Sequence, residues 1–227
     1  LGAERVRPET REVYMKRFGV ELLEGYGATE ASPLISVNVP GRNRHGSVGQ
    51  FVPALEWRLE PVPGIEGGQK LFVRGPNVMR GYLDPTKPFG IDLLPDGWHD
   101  TGDVVDVDQD GYIRILGRVK RFAKVGGEMV SLNAVESYAQ QVWPNAMHAA
   151  IAMPDSRKGE KIILFTSEKS ADSAAFVAYA RANGVQEIAV PKKIISVDDI
   201  PVLGTGKTDY VALGRMAADL VARAEAA

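Results

Sequence analysis

Short alternating runs of apolar and polar residues occupy the chain between Pro33 and Leu116, and clusters of Gly, Pro and Asp separate them. Alternation with a period of two is typical of strands that bury one face. The runs are Glu56–Glu60, Lys70–Val73, Val104–Val107 and Tyr112–Leu116. They predict a twisted antiparallel sheet or a barrel-like subdomain over residues 33–117, with a hairpin turn at Asp108–Gly111.

The residues before this region predict a surface helix and a strand. Pro8 suits a first helical turn, and the charged segment that follows indicates a helix over 8–17. The apolar residues from Val20 to Leu23 predict a short buried strand that ends at the turn residues Gly25 and Gly27.

The pattern changes after Gly117, where a basic stretch from Arg118 to Arg121 precedes a mixture of helices and strands. A hairpin turning at Gly126-Gly127 and an N-cap at Ser131 are expected. Helices are predicted over 131–142, 172–182 and 209–224, and strands over 148–153, 161–167 and 194–197. This mixture predicts a small α+β domain, with a boundary near Lys120.

Composition excludes several classes of site. The 227 residues include no cysteine, so disulfides, thiolate metal sites and cysteine nucleophiles are absent. The formal net charge of −2 gives no reason to expect that the chain binds nucleic acid. No apolar stretch is long enough to span a bilayer. The chain begins at Leu1 within an amphipathic segment, which predicts that it is a piece of a longer protein.

Two polar segments of the first half could bind a nucleotide. In Tyr26-Gly27-Ala28-Thr29-Glu30, the glycine permits close backbone approach, and Thr29 and Glu30 could hold phosphate and Mg²⁺. The alternative is a turn with a solvated glutamate. In the segment from Trp98 to Asp103, read as a polar turn that enters a strand, Asp103 could accept hydrogen bonds from a ribose diol.

Other segments imitate known motifs without meeting their requirements. Gly204–Thr208 lacks the earlier glycine of a phosphate-binding P-loop, since Pro201 occupies that position, and what remains is Lys207 on a glycine-flanked loop tip. The segment from Asp106 imitates a calcium loop, but its twelfth position is Gly117 rather than glutamate. Three scattered histidines, His45, His99 and His148, indicate no metal cluster.

The basic run of Arg118, Lys120, Arg121 and Lys124 has two readings. It could contact phosphate or dock an acidic partner, or it could be a solvated hairpin face.

Six segments, taken together and in order, resemble the later core motifs of the adenylate-forming superfamily of acyl-CoA synthetases, peptide-synthetase adenylation domains and luciferases. The segments are Tyr26–Glu30, Gly75–Leu83 with Gly81 and Tyr82, Thr101–Asp103, Gly117–Lys120, Gly127–Ser131 and Pro201–Lys207. Within that superfamily, Arg118–Lys124, Gly127–Leu132 and Pro201–Lys207 look most like the acyl-[acyl-carrier-protein] synthetase half of the bifunctional 2-acylglycerophosphoethanolamine acyltransferase. Ala134 departs from the glutamate that the family often has there.

The resemblance implies two domains joined by a hinge, and a role for each candidate site residue. It implies the end of a large adenylating domain over residues 1–118, a hinge at 118–121 that turns at Lys120, and a small mobile domain over 121–227. Lys207 would be catalytic, and Tyr26, Gly27, Thr29, Glu30, Asp103 and Arg118 would bind ATP or AMP. Glu30 would hold Mg²⁺, and Gly126 and Gly127 would line the thiol tunnel.

The resemblance also implies substrates and partners. A fatty acid would be activated as acyl-AMP and transferred to acyl carrier protein, or alternatively to coenzyme A as in a long-chain fatty acyl-CoA synthetase. A nucleotide-binding module without catalysis is a second alternative. The phosphate loop of the family would lie upstream of Leu1, so this chain alone is expected to be inactive. The resemblance implies a cytoplasmic location, or the cytoplasmic face of the inner membrane for a full-length, membrane-associated protein.

Overall fold

The computed structural model describes residues 6–84, 86 and 90–225. The chain divides into two compact units, of which the first ends at Val119 and the second begins at Lys120. No helix in the described part of the chain combines the length and the apolar character needed to cross a bilayer.

The first unit opens with helix α1 (Pro8–Phe18), which Gly19 ends in a left-handed conformation. The predicted strand from Val20 to Leu23 is wrong. Val20 is 47% exposed, and the carbonyl of Leu22 accepts from the side chain of Arg11 rather than from a neighbouring strand. Regular pairing begins only at Gly25, so a local apolar run was not sufficient to make a strand.

Antiparallel strands form the rest of the first unit, as the alternating runs predict. One sheet has the order β1-β2-β3, a second has the order β4-β5-β8-β9, and β6 pairs with β7. The strands are β1 (Gly25–Gly27), β2 (Leu34–Val37), β3 (Gln50–Phe51), β4 (Glu56–Pro61), β5 (Gln69–Arg74), β6 (Gly81–Leu83), β7 (Ile91–Leu93), β8 (His99–Val107) and β9 (Ile113–Arg118). Backbone hydrogen bonds of Ile113 with Val48 and Gly49 join the first sheet to β9. Among the described residues these sheets stay open rather than closing into a barrel.

Ile35, Leu71, Val73, Val105 and Ile113 are fully buried between these sheets. The hairpin turn predicted at Asp108–Gly111 is confirmed, because the amide of Gly111 donates to the carbonyl of Asp108.

The second unit is an α+β sandwich around one sheet with the order β11-β10-β13-β12, in which β14 pairs in parallel with β13. Its elements are β10 (Phe122–Val125), β11 (Glu128–Ser131), α2 (Leu132–Val142), β12 (His148–Asp155), β13 (Gly159–Thr166), α3 (Ser173–Ala182), β14 (Lys193–Ser196) and α4 (Tyr210–Glu225). Ser131 caps α2 as predicted, since its hydroxyl accepts from the amide of Ala134.

Alternation along β13 divides the core of the second unit between the two faces of the sheet. Leu164 packs with Phe176 and Val135 of the α2–α3 side, whereas Phe165 packs with Leu213 of α4. Helices therefore cover both faces of this sheet.

Candidate functional site

The first unit contains a buried carboxylate, that of Asp103 on β8. Asp103 accepts from the hydroxyl of Tyr26 at 2.5 Å through Oδ2, and from Nε of Arg118 at 3.0 Å through Oδ1. The Asp103 side chain is 9% exposed, whereas that of Arg118 is 67% exposed. Each carboxylate oxygen keeps a further lone pair. The arrangement therefore combines a fixed acceptor with a guanidinium that reaches solvent.

Strand register brings these residues together. Asp103 lies opposite Arg118 in the β8–β9 pair, which is irregular one residue later, between Val104 and Val105. Such irregularities re-aim side chains next to functional sites. The sequence predicted a polar turn up to Asp103, and this is wrong: β8 already begins at His99, which is buried in the strand.

The backbone around Asp103 is fixed by its neighbours on β8. The hydroxyl of Thr101 donates to the carbonyl of Leu71 at 2.8 Å and accepts from the amide of Asp103 at 3.1 Å. Gly102 has a φ of 68°, a left-handed value that favours glycine. In the Thr-Gly-Asp segment, Thr101 and Gly102 therefore hold the backbone around Asp103 in place. The sequence alone did not indicate this role.

Burial, followed by the negative charge of Asp103, raises the pKa of the Tyr26 hydroxyl well above its ordinary value. Tyr26 therefore stays protonated at physiological pH and donates to the carboxylate. The hydrogen bond between Tyr26 and Asp103 is already formed in the structure, so no side-chain rotation is needed to make it.

Glu30 offers a second carboxylate, on the 3₁₀ helix Thr29–Ala31 that follows β1. Its Oε1 accepts from the hydroxyl of Tyr82 at 2.8 Å, and its carbonyl accepts from the amide of Met79. A hydrogen bond from its own backbone amide and the bond from Tyr82 hold the pKa of Glu30 below its ordinary value. The carboxylate is thus ionised and oriented. Tyr82 belongs to the Gly75–Leu83 motif, but the sequence alone did not indicate a role for it.

Glu30 fits the Mg²⁺ that the resemblance implies. The described residues contain no group of three or more His, Cys, Asp or Glu side chains that could hold a metal by themselves. Mg²⁺ is commonly bound by one or two carboxylates together with substrate phosphates and water. A single ionised, partly exposed carboxylate is consistent with that mode.

Gly27 leaves room for the chain to fold back on itself. A Cβ at this position would lie 1.9 Å from the carbonyl oxygen of Pro33. We expect Gly27→Ala to lower the free energy of unfolding by about 1–3 kcal/mol or more, because the backbone must shift. Gly214→Ala is the matched control, since nothing lies within 4 Å of its Cβ and alanine favours helix α4 by about 1 kcal/mol. Thermal unfolding measures both, and equal midpoints would contradict the close approach.

The other predicted site residues lie on the second unit. Lys207 is exposed on a tight loop in which the amide of Leu203 donates to the Lys207 carbonyl at 2.7 Å. Lys120 is exposed within the 3₁₀ helix Val119–Arg121. Gly126 and Gly127 form the exposed turn between β10 and β11, both with positive φ, so the predicted hairpin is confirmed.

The basic run does not form one docking face. Arg118 pairs with Asp103, and the Arg121 side chain is only 14% exposed and pairs with Glu136. Arg121 is therefore largely buried, while Lys120 and Lys124 of the run remain exposed. The charge pattern in the sequence did not reveal that the Arg121 guanidinium is buried while the Arg118 guanidinium reaches solvent.

Known proteins resemble this chain along most of its length. A family model described as AMP-binding enzyme matches residues 1–83. A long-chain-fatty-acid–CoA ligase of Salmonella typhimurium is 35% identical in an alignment of 216 positions that covers 91% of this chain and 38% of that protein. The chain thus spans about two fifths of the length of this curated relative.

Solved structures share the fold. ATP-bound MatB from Rhodopseudomonas palustris is 27% identical with a TM-score of 0.80, over 96% of this chain and 45% of that one. The anthranilate CoA ligase AuaEII in complex with anthranoyl-AMP is 27% identical with a TM-score of 0.72, and the match covers 98% of this chain and 43% of that ligase. On these similarities and the ordered motifs, the chain belongs to the adenylate-forming superfamily of AMP-binding enzymes.

Proposed function

We propose that this chain is part of an ATP-dependent acyl-CoA ligase that activates a long-chain fatty acid through acyl-AMP. The observation that carries the proposal is the Tyr26–Asp103–Arg118 assembly, in which distant motifs meet at one buried carboxylate. A carboxylate with free lone pairs suits the two hydroxyls of a ribose, and the exposed guanidinium suits an anionic ligand. The similarity to a fatty-acid–CoA ligase supports the choice of acid.

The nucleotide would contact the first unit through the predicted residues. Asp103 and Arg118 would hold the ribose, Tyr26 would flank the adenine, and Thr29 would contact the α-phosphate. Gly27, which has no side chain, would permit the close approach of the backbone.

Glu30, ionised and held by Tyr82, would be the protein ligand of a bound Mg²⁺. When bound, that ion would offset the negative charge of the phosphate oxygens.

Adenylation would join a carboxylate oxygen of the fatty acid to the α-phosphorus and break the bond to the departing pyrophosphate. Two anions meet in this step, so a positive charge near the reacting oxygens lowers the barrier. We propose that Lys207 supplies this charge from the second unit, because its side chain is exposed on a loop fixed at both ends.

Thioester formation would follow, when a thiol attacks the acyl carbonyl and AMP departs. For this step we propose that the second unit turns at Lys120 and brings the Gly126–Gly127 turn to the thiol. Hinges of this kind absorb large dihedral changes at a few residues.

The thiol is proposed to be that of coenzyme A. Sequence motifs alone predicted acyl carrier protein as the main acceptor and coenzyme A as the alternative, and the ligases described above are CoA ligases by name. A non-catalytic nucleotide-binding module is less consistent with the chain, since it retains both Glu30 and Lys207.

The test is ATP–pyrophosphate exchange by the full-length protein with fatty acids of increasing length, followed by thioester formation with coenzyme A or acyl carrier protein. We expect exchange that depends on the fatty acid and faster product formation with coenzyme A. ATP binding without exchange would support the non-catalytic module, and faster turnover with acyl carrier protein would support that acceptor instead.

A further inference from the structure

A buried polar cluster joins four segments of the second unit. Nη2 of Arg121 donates to Oε1 of Glu136 at 2.6 Å, and Nη1 donates to the carbonyl of Ala150 at 2.8 Å. The same Oε1 accepts from the amide of Ala150 at 2.8 Å. Both charged side chains are largely buried, at 14% and 18% exposure. The cluster thus fixes Arg121 against α2 and β12.

Tyr210 extends this cluster to the start of α4. Its ring centre lies 3.8 Å from the guanidinium carbon of Arg121, and its hydroxyl donates to Oε1 of Glu136 at 3.2 Å. Burial, followed by the charge of Glu136, raises the pKa of Tyr210 to about 12, so the hydroxyl keeps its proton at physiological pH. Arg121, Glu136 and Tyr210 are called the brace below.

The brace connects two places that the proposed function uses. Arg121 is next to Lys120 in the chain, and Tyr210 follows Lys207 by three residues. Between Lys207 and Tyr210, Thr208 bridges to Val202, and the amide of Asp209 donates to the carbonyl of Pro201 at 2.8 Å. The base of the Lys207 loop is therefore fixed, whereas Val202 and Leu203 are about half exposed.

We infer that the brace is a positioning device that holds the base of the Lys207 loop in a constant relation to the residue beside the hinge. This inference rests on the proposed function. A rotation at Lys120 would then move Lys207 together with the second unit as one rigid body. Deformation of the Lys207 loop would not absorb the rotation. The brace residues act through Lys207 and need not touch substrate.

A purely stabilising role is the alternative. Buried ion pairs often contribute little net stability relative to apolar residues, so stability alone is a weak reason for this cluster. The two roles predict different kinetics. Loss of stability lowers both half-reactions together, whereas misplacement of Lys207 lowers adenylation and spares thioester formation.

The experiment uses Tyr210→Phe in the full-length protein, because this change keeps the ring over Arg121 and removes only the hydroxyl. We expect the rate of ATP–pyrophosphate exchange to fall by about tenfold, since small displacements of a catalytic group have large kinetic effects. Thioester formation from supplied acyl-AMP should change little. Lys169→Met, which removes an exposed ion pair with Asp198 in the same unit, should change neither.

Glu136→Gln gives a second measurement and should show the same split between the half-reactions. Tyr210→Phe should add no further loss of exchange in a Lys207→Ala background, because both changes act at one group. Equal losses in both half-reactions, or additive losses in the double variant, would overturn the brace.

The proposed function can fail separately from this inference. Normal exchange in Lys207→Ala alone would remove the proposed role of Lys207 and the brace with it. Abolished exchange in Lys207→Ala, with unchanged exchange in both Tyr210→Phe and Glu136→Gln, would overturn the brace only.

Discussion

Replacement of Lys207 by alanine in the full-length protein is expected to lower the rate of adenylation by about 10²–10³-fold. The reason is that one well-placed positive charge at the reacting oxygens is worth about 3–4 kcal/mol in sites of this type. ATP–pyrophosphate exchange measures this step. Because Lys207 is exposed and its loop is held by backbone hydrogen bonds, the change should leave the folding of the second unit intact.

The same Lys207→Ala variant should still convert supplied acyl-AMP and thiol into thioester, since the fatty-acid carboxylate and the phosphate no longer meet as two anions in that step. Lys169→Ala is the matched control, as it removes an exposed lysine of the same unit. Normal exchange in Lys207→Ala, or loss of both half-reactions together, would contradict the assigned role.

Replacement of Asp103 by alanine is expected to raise the KM for ATP by about 10–100-fold. Hydrogen bonds to charged groups contribute about 1.5–3 kcal/mol, and about 1.4 kcal/mol corresponds to a factor of ten. The variant should also unfold more easily by about 1–3 kcal/mol, because the buried hydroxyl of Tyr26 loses its acceptor.

Asp106→Ala is the control for Asp103→Ala. Asp106 lies on the same strand and also pairs with an arginine, Arg114, but the Asp106 side chain is 33% exposed whereas that of Asp103 is 9% exposed. Such pairs contribute about 0–1 kcal/mol, so its effect on stability and on the KM for ATP should be small. A normal KM for ATP in Asp103→Ala, accompanied by lower stability, would mean that Asp103 has only a structural role.

Local signals identified most of the elements correctly. The caps and turns depend on residues close in sequence: Ser131 accepts from an amide three residues on, and Asp108 closes its own hairpin. The alternating runs of the first unit became β4, β5, β8 and β9, which pair side by side in one antiparallel sheet. The buried residues of this sheet lie on β5, β8 and β9, whereas β4 has none. The same local reasoning failed at Val20–Leu23, where side chains of Arg11 and Asn43 donate to the Leu22 carbonyl and the segment is not a strand.

The sequence by itself determined most element types, the change from alternating strands to mixed helices and strands near Lys120 and, through its ordered motifs, the superfamily. Tertiary structure alone decided how the charges pair. Tyr26 and Asp103 are 77 residues apart and meet only through the sheets, and Arg121 faces inward to Glu136 although Lys120 beside it is exposed. The physical reason is that caps and turns are settled by neighbours in the chain, whereas the counter-ion of a buried charge depends on strand register and helix packing.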